Sequence, residues 1–467
     1  MSEQKPASSA QDTTSGRSKG GGAVLGAVMR PLNTLVERFI PSALVFAIIL
    51  TFIVAVLALI FTDAGPVTVV EEWGIGLAGL LAFMTQMALV LLLGYILANT
   101  RPVRKLLLRL ARVPKTAMQA YLFVFFIAAC GSLITWGLGL VAGALLAREV
   151  AYEFRRRDTL VHFPMLVAAA FSGFVVWHMG YSASGPLLAA TPDSFVAEQL
   201  GEPLSITDTI FSTWNIIAVV VTVVVVGLAV FLIAPRNERA IVPLTVDARE
   251  KDVEIEAEVV TPADRVDASR IPTLLTGLLL VAYLVIHFTG GGSLTLDIVN
   301  WSFLTLIMLL VRNPFELIAL TKQAATNVGE ILLQFPLYAG ILGIMAGTGL
   351  MTVISEAFVA ISNQQTFALF AFLSAGLVNF FVPSGGGQIA VQAPILLEAA
   401  ESLGTDPAVA IMAVAYGDQW TNMIQPFWAL PLLAIAGLKM RDILGYTTIT
   451  LIASGIVFGG ALVLVSL

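Results

Sequence analysis

Two ionisable side chains, His178 and Asp418, fall near the middle of apolar runs long enough to enter a lipid bilayer. A charge at that depth is expensive, and such a residue marks an ion or substrate path unless it has a structural partner. Asp418 has the chemistry to ligate Na+ or to carry a coupling proton, and His178 to take a proton along with an anion. The plainer alternatives are a neutral core histidine bonded to a carbonyl and an aspartate capping a helix break. Asn379 is a further cation-site candidate, because its side-chain carbonyl is a hard oxygen ligand. No Lys or Arg shares this depth, so neutral donors would have to hold a bound carboxylate. One carboxylate can be held that way, whereas a dicarboxylate calls more strongly for a guanidinium fork.

The stretch "NFFVPSGGGQIAVQ" (379–392) supplies such donors, because proline and three successive glycines break a helix inside an uncharged run. Ser384, Gly385, Gly386, Gly387 and Gln388 are candidates for an anion site there, with Thr421 and Asn422 across from them. Thr135, Trp136, His178, Tyr181, Ser182 and Ser184 are the candidates from the first half of the chain, and Trp136, Trp420 or Trp428 could support an apolar tail. Gly386, at the centre, is expected to need φ > 0 or a backbone bare enough to approach a carboxylate.

The elements that position these residues must be membrane helices. The chain of 467 residues is 58% hydrophobic and 12% charged, and it runs repeatedly for more than 20 residues without a charge. Nine full spans are predicted, at 40–62, 74–98, 164–190, 210–234, 271–289, 295–311, 330–355, 407–438 and 446–466. Two further apolar segments, 117–147 and 366–397, are decided by the lysines and arginines. If each of these two enters and leaves on one face, all 25 Lys and Arg fall on one side with the N-terminus, and the opposite loops carry only acids. That side is the cytoplasmic one. Arms of about 15 residues span roughly 22 Å, short of a hydrocarbon core, so re-entrant hairpins with tips at 134–140 and 382–388 are expected. The single Cys130 gives no disulfide framework, and residues 1–30 have the composition of a disordered cytoplasmic tail.

A shift of 245 residues lays 168–189 over 413–434, ending on a shared Pro-Leu-Leu-Ala, and Gly131 over Gly376. The chain therefore reads as a first repeat (31–235; hairpin 117–147, broken helix 164–190), a cytoplasmic linker (236–270) and a second, inverted repeat (271–467; hairpin 366–397, broken helix 407–438). Hairpin tips meeting broken helices near the midplane are how transporters build substrate sites.

At "NFFVPSGGGQIAVQAPILLEAA" (379–400), "AVAYGDQWTNMIQPFWALPLLAIAG" (413–437) and "GSLITWGLGLVAGALLAREVA" (131–151), the sequence closely resembles the bacterial short-chain fatty acid transporter family of the ion transporter superfamily, over nearly the whole chain after the tail. The resemblance implies uptake of acetoacetate or butyrate-like monocarboxylates across the bacterial inner membrane by an elevator motion, in a homodimer. No cofactor beyond a coupling Na+ or H+ is expected, and no nucleic-acid partner. The alternatives are a C4-dicarboxylate, amino-acid or aminobenzoyl-glutamate carrier of the same superfamily, and then a channel or an intramembrane enzyme. Against the enzyme, the chain has no H-E-x-x-H or G-x-S-x-G motif and no nucleotide loop.

Overall fold

A computed structural model describes residues 43–191, 194–237, 241–244, 261–292, 295–326, 328–381, 383 and 385–467. The tail 1–30 and most of the expected linker lie outside the described residues, as does Ser384. The described residues form helices without a strand: α1 (Ala43–Phe61), α2 (Pro66–Gly76), α3 (Leu81–Asn99), α4 (Arg101–Ala111), α5 (Ala117–Ile134), α6 (Trp136–Arg156), α7 (Phe163–Gly173), a 3-10 segment (Phe174–Met179), α8 (Ser184–Ala190), α9 (Phe195–Leu200) and α10 (Thr213–Ile233). The second half follows with α11 (Pro262–Asp267), α12 (Ile271–Thr289), α13 (Leu296–Leu310), α14 (Pro314–Ala325), α15 (Gly329–Gly347), α16 (Leu350–Val359), α17 (Phe367–Phe381), α18 (Gly385–Leu403), α19 (Pro407–Thr421), α20 (Pro426–Ala436) and α21 (Met440–Val465).

Six uninterrupted stretches are long and apolar enough to cross a membrane, and eight if two bent pairs are each one span. This is a multi-pass helical membrane protein. Several of the nine predicted spans are more broken than hydropathy suggests. Segment 74–98 is divided between α2 and α3 and segment 330–355 bends by 61° between α15 and α16, while 407–438 is split into α19 and α20 as its sequence predicts. The chain turns by 82° between α3 and α4. Helix α4, "RPVRKLLLRLA", sets Arg101, Arg104, Lys105 and Arg109 against a row of leucines, the pattern of a helix lying in the headgroup plane.

The two undecided segments are helical hairpins. The first turns at a single extended residue, Thr135 (φ −156°, ψ 137°), and starts from a capping box between Thr116 and Gln119. Its arms of 18 and 21 residues, about 27 and 31 Å, exceed the expected length. The helix continues past the apolar run because Glu153 is buried and accepts hydrogen bonds from Arg156 and Arg157. The Arg156 contact, reinforced by Arg157 against the desolvation of burial, holds the Glu153 carboxyl below its usual range. In the second hairpin α17 ends at Phe381 and α18 begins at Gly385.

Each hairpin packs on the broken helix that follows it through the same contact. A Cβ at Gly173 of α7 would collide with the carbonyl of Phe125, the Cβ of Ala128 and the amide of Ala129. One at Gly417 of α19 would collide with the carbonyl of Phe372, the Cβ of Ala375 and the amide of Gly376. Both are positions i, i+3 and i+4 of the hairpin's first helix, and by this contact Gly376 matches Ala129 rather than Gly131. The broken helices form the centre: the membrane-length window within Phe163–Ala190 is 100% buried, against 11% for Ile271–Thr289 at the periphery.

His162, one residue before the Phe163–Ala190 span, ties residues 241–244 to this centre. Its Nδ1 accepts from the Val242 amide at 2.9 Å, so the neutral ring carries its proton on Nε2 and donates to the Tyr446 hydroxyl at 2.9 Å. Burial pushes the imidazole pKa down to about 4. The folded protein thus binds fewer protons than the unfolded chain between about pH 4 and the ordinary histidine value of about 6.5. The contribution of this neutral ring is complete above that window and lost as pH falls through it, by about 3 kcal/mol at most. Melting of the purified protein between pH 7.5 and 4.5 should show the loss, and His162→Gln, which keeps an acceptor and a donor, should flatten it. An unchanged slope in the variant would remove His162 as the cause.

Candidate functional site

Helix α7 tightens into a 3-10 turn at Phe174 and stops at Gly180, whose missing side chain lets the break lie on the backbone of Leu133. The Tyr181 amide donates to the Leu133 carbonyl at 2.8 Å, and the Trp136 amide to Ser182 Oγ at 3.1 Å. The first tip is thereby bonded to the first break. The second break, 422–425, lies between α19 and α20, with the Gln425 side chain capping α20 through the Phe427 amide. Asn379 of α17 donates to Thr421 Oγ1 at 2.9 Å and Asn422 Oδ1 at 2.8 Å, while Thr421 donates to the Gly376 carbonyl.

The returning arms reach across to the opposite break. Trp136, opening α6, stands edge-on to Trp428 of α20 with centroids 5.0 Å apart. Gly385, opening α18, faces the first break: a Cβ there would lie 3.0 Å from Trp177 Cη2, 3.1 Å from Ser184 Oγ and 3.2 Å from His178 Cε1.

At this crossing His178 and Asp418 meet. His178 Nδ1 is 2.8 Å from Asp418 Oδ2, and both side chains are 0% exposed. The two candidates proposed separately from sequence are one buried pair. The His178 amide donates to Gln419 Oε1 at 2.9 Å, the Gly185 amide donates to His178 Nε2 at 3.2 Å, and the Trp177 indole stacks on the imidazole at 4.1 Å. Asn215 of α10 braces the pair from outside: it donates to the Met179 and Ile210 carbonyls and accepts from the Tyr416 hydroxyl at 2.7 Å.

Several polar atoms at the two breaks are buried without a hydrogen-bond partner among the described residues. The donors are Trp177 Nε1, Gln419 Nε2, Asn422 Nδ2 and Gln425 Nε2; the acceptors are Asp418 Oδ1 and Asn379 Oδ1. Buried polar groups are nearly always satisfied, so each of these atoms calls for a partner such as a water, an ion or a ligand. No Lys or Arg is buried among the described residues.

Not every candidate joins this cluster. Gln388 turns inward, donating to the Ala375 carbonyl and to Gln392, which in turn donates to Ser355 and Ser374; it braces the hairpin. Trp420 donates to the Leu451 carbonyl and packs between α17 and α21. Tyr181 is 37% exposed at the rim, and Thr135 is buried with its carbonyl accepting the Leu138 and Gly139 amides. Gly387 is half-buried beside Gly386. Gly386 departs from expectation: it is exposed, a Cβ there would meet nothing within 4 Å, and it is not among the positive-φ glycines. Three adjacent glycines in a helical register face three directions, and Gly385 is the one facing His178. Trp177, Gln419, Gln425 and Asn215 were missed. Their signal was present, since each is a polar or amphipathic residue in a lipid-length apolar segment beside a break.

The model of the short chain fatty acid transporter family matches residues 24–465. The chain belongs to this family. Similar relatives include proteins provisionally named short-chain fatty acid transporters in Escherichia coli (strain K12), 40% identical over 439 residues, and in Haemophilus influenzae (strain ATCC 51907 / DSM 11121 / KW20 / Rd), 37% identical over 445 residues. Each alignment covers 93% of this chain and 98% of the relative. Among solved structures, the YdaH transporter of Alcanivorax borkumensis, described as having an unusual topology, matches 90% of this chain and 98% of its own at 16% identity, with a TM-score of 0.42. The family is one of transporters, and this chain is accordingly a transporter and not an enzyme.

For this short-chain fatty acid transporter, the two glycines separate by experiment. Gly385→Val should force Trp177, His178 and Ser184 apart, costing about 1–3 kcal/mol and weakening acid binding about tenfold to a hundredfold. Gly386→Ala should bind normally, since it adds a methyl group to open space and favours the helix by about 1 kcal/mol. Equal losses in a binding assay for butyrate would show that the glycines act only as a bend.

Proposed function

We propose that the chain takes up short-chain monocarboxylates of the acetoacetate or butyrate class across the bacterial cytoplasmic membrane, coupled to Na+ or H+. The observation that carries this reading is the chemistry of the crossing: one buried His–Asp pair, unpartnered neutral donors around it, and no buried Lys or Arg among the described residues. Neutral donors suffice for a single carboxylate, while a dicarboxylate would bring a second charge with no guanidinium to meet it. The aromatic wall of Phe174 stacked on Trp177, with Trp428 tilted against both and centroids 5.6–5.8 Å apart, suits a short apolar tail. The exchanged contacts of the two tips support an elevator motion in which hairpins and breaks travel together. The sorting of basic residues supports an N-terminus in the cytoplasm, and the peripheral apolar helices leave room for the homodimer that the family resemblance implies.

Proteoliposomes with imposed Na+ and pH gradients, corrected with protein-free vesicles, test the substrate and the coupling together. Unlabelled butyrate and acetoacetate should compete with labelled butyrate, and succinate, aminobenzoyl-glutamate and amino acids should not. Asp418→Asn should lower gradient-driven accumulation about tenfold to a hundredfold, the cost of weakening a buried charge-assisted bond. Competition by succinate at equal concentration would move the assignment to the dicarboxylate carriers.

A further inference from the structure

The hydrogen bonds around His178 fix its protonation state, and this carries the transport reading further. A backbone N–H can only donate, so the Gly185 amide 3.2 Å from Nε2 requires a lone pair on that nitrogen. The one proton of a neutral ring is then on Nδ1, donated to Asp418 Oδ2 at 2.8 Å. With Asp418 as the carboxylate, the pair holds one net negative charge in a fully buried place. A carboxylate arriving beside it would add a second like charge where little solvent screens it.

Adding a proton to Nε2 reverses the polarity of that edge of the ring. The lone pair becomes an N–H donor, the Gly185 N–H···Nε2 bond breaks, and no other covalent change is needed. Two donors then stand about 3 Å apart with no acceptor between them, the arrangement that a carboxylate oxygen completes. Gly385 covers this edge closely, since a Cβ there would lie 3.0 Å from Trp177, 3.1 Å from Ser184 Oγ and 3.2 Å from His178 Cε1, so a carboxylate would reach it only with α18 drawn back. The net charge also returns to its starting value: minus one for the empty pair, and minus one again with an acid anion and a proton bound.

Among the described residues no other charged group competes for this role. Of the elements packed on the 3-10 segment, α19 brings Asp418 and Tyr416, α5 brings Tyr121 and Cys130, and α7 and α10 bring no titratable group. Charged residues of α6 begin at Arg148, about 18 Å along the helix from Trp136. Among these, Asp418 is the group in contact with the imidazole, and the Tyr416 hydroxyl is engaged with Asn215. On the other faces, α8 brings Gly185 and Ser184, and the first acid of α18 is Glu398.

We propose that His178 is the proton-binding group of the transport cycle, and that the substrate carboxylate takes over the Gly185 amide when Nε2 is protonated, so that one H+ crosses with each acid anion. This rests on the monocarboxylate reading above and deepens it by choosing H+ over Na+.

The direct test is proton uptake on binding. Purified wild-type protein in weakly buffered detergent at pH 7, containing a pH indicator, receives sodium butyrate, with sodium chloride as the control. The expected result is alkalinisation approaching one proton per butyrate bound, with an apparent affinity that weakens about tenfold per pH unit as pH rises, as linkage of one proton requires. His178→Gln, which has no titrating nitrogen, should bind butyrate with weakened, pH-independent affinity and take up no proton; gel filtration and melting establish that it folds. If it does not fold, the wild-type proton count alone decides. Butyrate binding that takes up no proton and tightens with Na+ would overturn the proposal, placing the cation on the free oxygens of Asp418 and Asn379, and so would a pH dependence that survives in His178→Gln. Failure of the wild type to bind butyrate at any pH or Na+ concentration would instead remove the monocarboxylate reading, and this proposal with it.

Discussion

A helix interrupted at membrane depth leaves amide and carbonyl groups that lipid cannot satisfy, at several kcal/mol each. Much of this protein's architecture answers that constraint. The first break is bonded by a hairpin tip, through Tyr181 to Leu133 and Ser182 to Trp136, and by Asn215 from α10 at Met179. The second is bonded by Asn379 at Thr421 and Asn422, and by the Gln425 side chain at Phe427. Each hairpin tip therefore has to lie against the break it serves. The close approach this needs explains the glycines at 173, 180 and 417, where a side chain would collide with a neighbouring backbone.

Once backbone demand is met this way, the remaining polar groups become conspicuous. Of the buried unpartnered atoms, those of Asp418, Gln419, Asn422 and Gln425 lie together because these residues occupy about two turns of chain around the end of α19, while others such as Trp73 Nε1 and Asn300 Oδ1 lie elsewhere. Neighbouring turns bring Asp418 within i+3 and i+4 of Thr421 and Asn422, so the anionic pair and the Asn379 cluster share one helix face.

Much of this was legible in the sequence, for identifiable reasons. Keeping the lysines and arginines on one side, because translocating them is costly, required an even number of passes for each undecided segment, and both are helical hairpins. Pro383 and the glycines after it report the second tip because a helix interior tolerates them poorly. What hydropathy missed were breaks made by geometry: the 61° bend at Thr348–Gly349 and the split at 77–80 cost no apolar character and so left no hydropathy signal. The length of α6 was underestimated because Glu153 and its arginines look like a loop until they are seen to pair on a helix. At the site, sequence identified His178 and Asp418 one at a time. Their contact spans 240 residues, and nothing local encodes it. It also could not say which of three consecutive glycines faces inward, since a single helical step of about 100° decides that.

The crossing of the two halves adds a mechanical consequence. If each tip touched only its own break, the two hairpins could move independently and the site could be open to both sides at once. Instead α6 meets α20 at Trp136 and Trp428, while α18 meets the first break at Gly385, Ser184 and His178. Displacing either hairpin alone would expose an aromatic wall or the His178–Asp418 pair, which are buried in this structure. The contacts that assemble the site are thus the contacts that resist its opening piecemeal, and a motion that keeps both tips and both breaks together is the one that preserves the electrostatics on which coupling would depend.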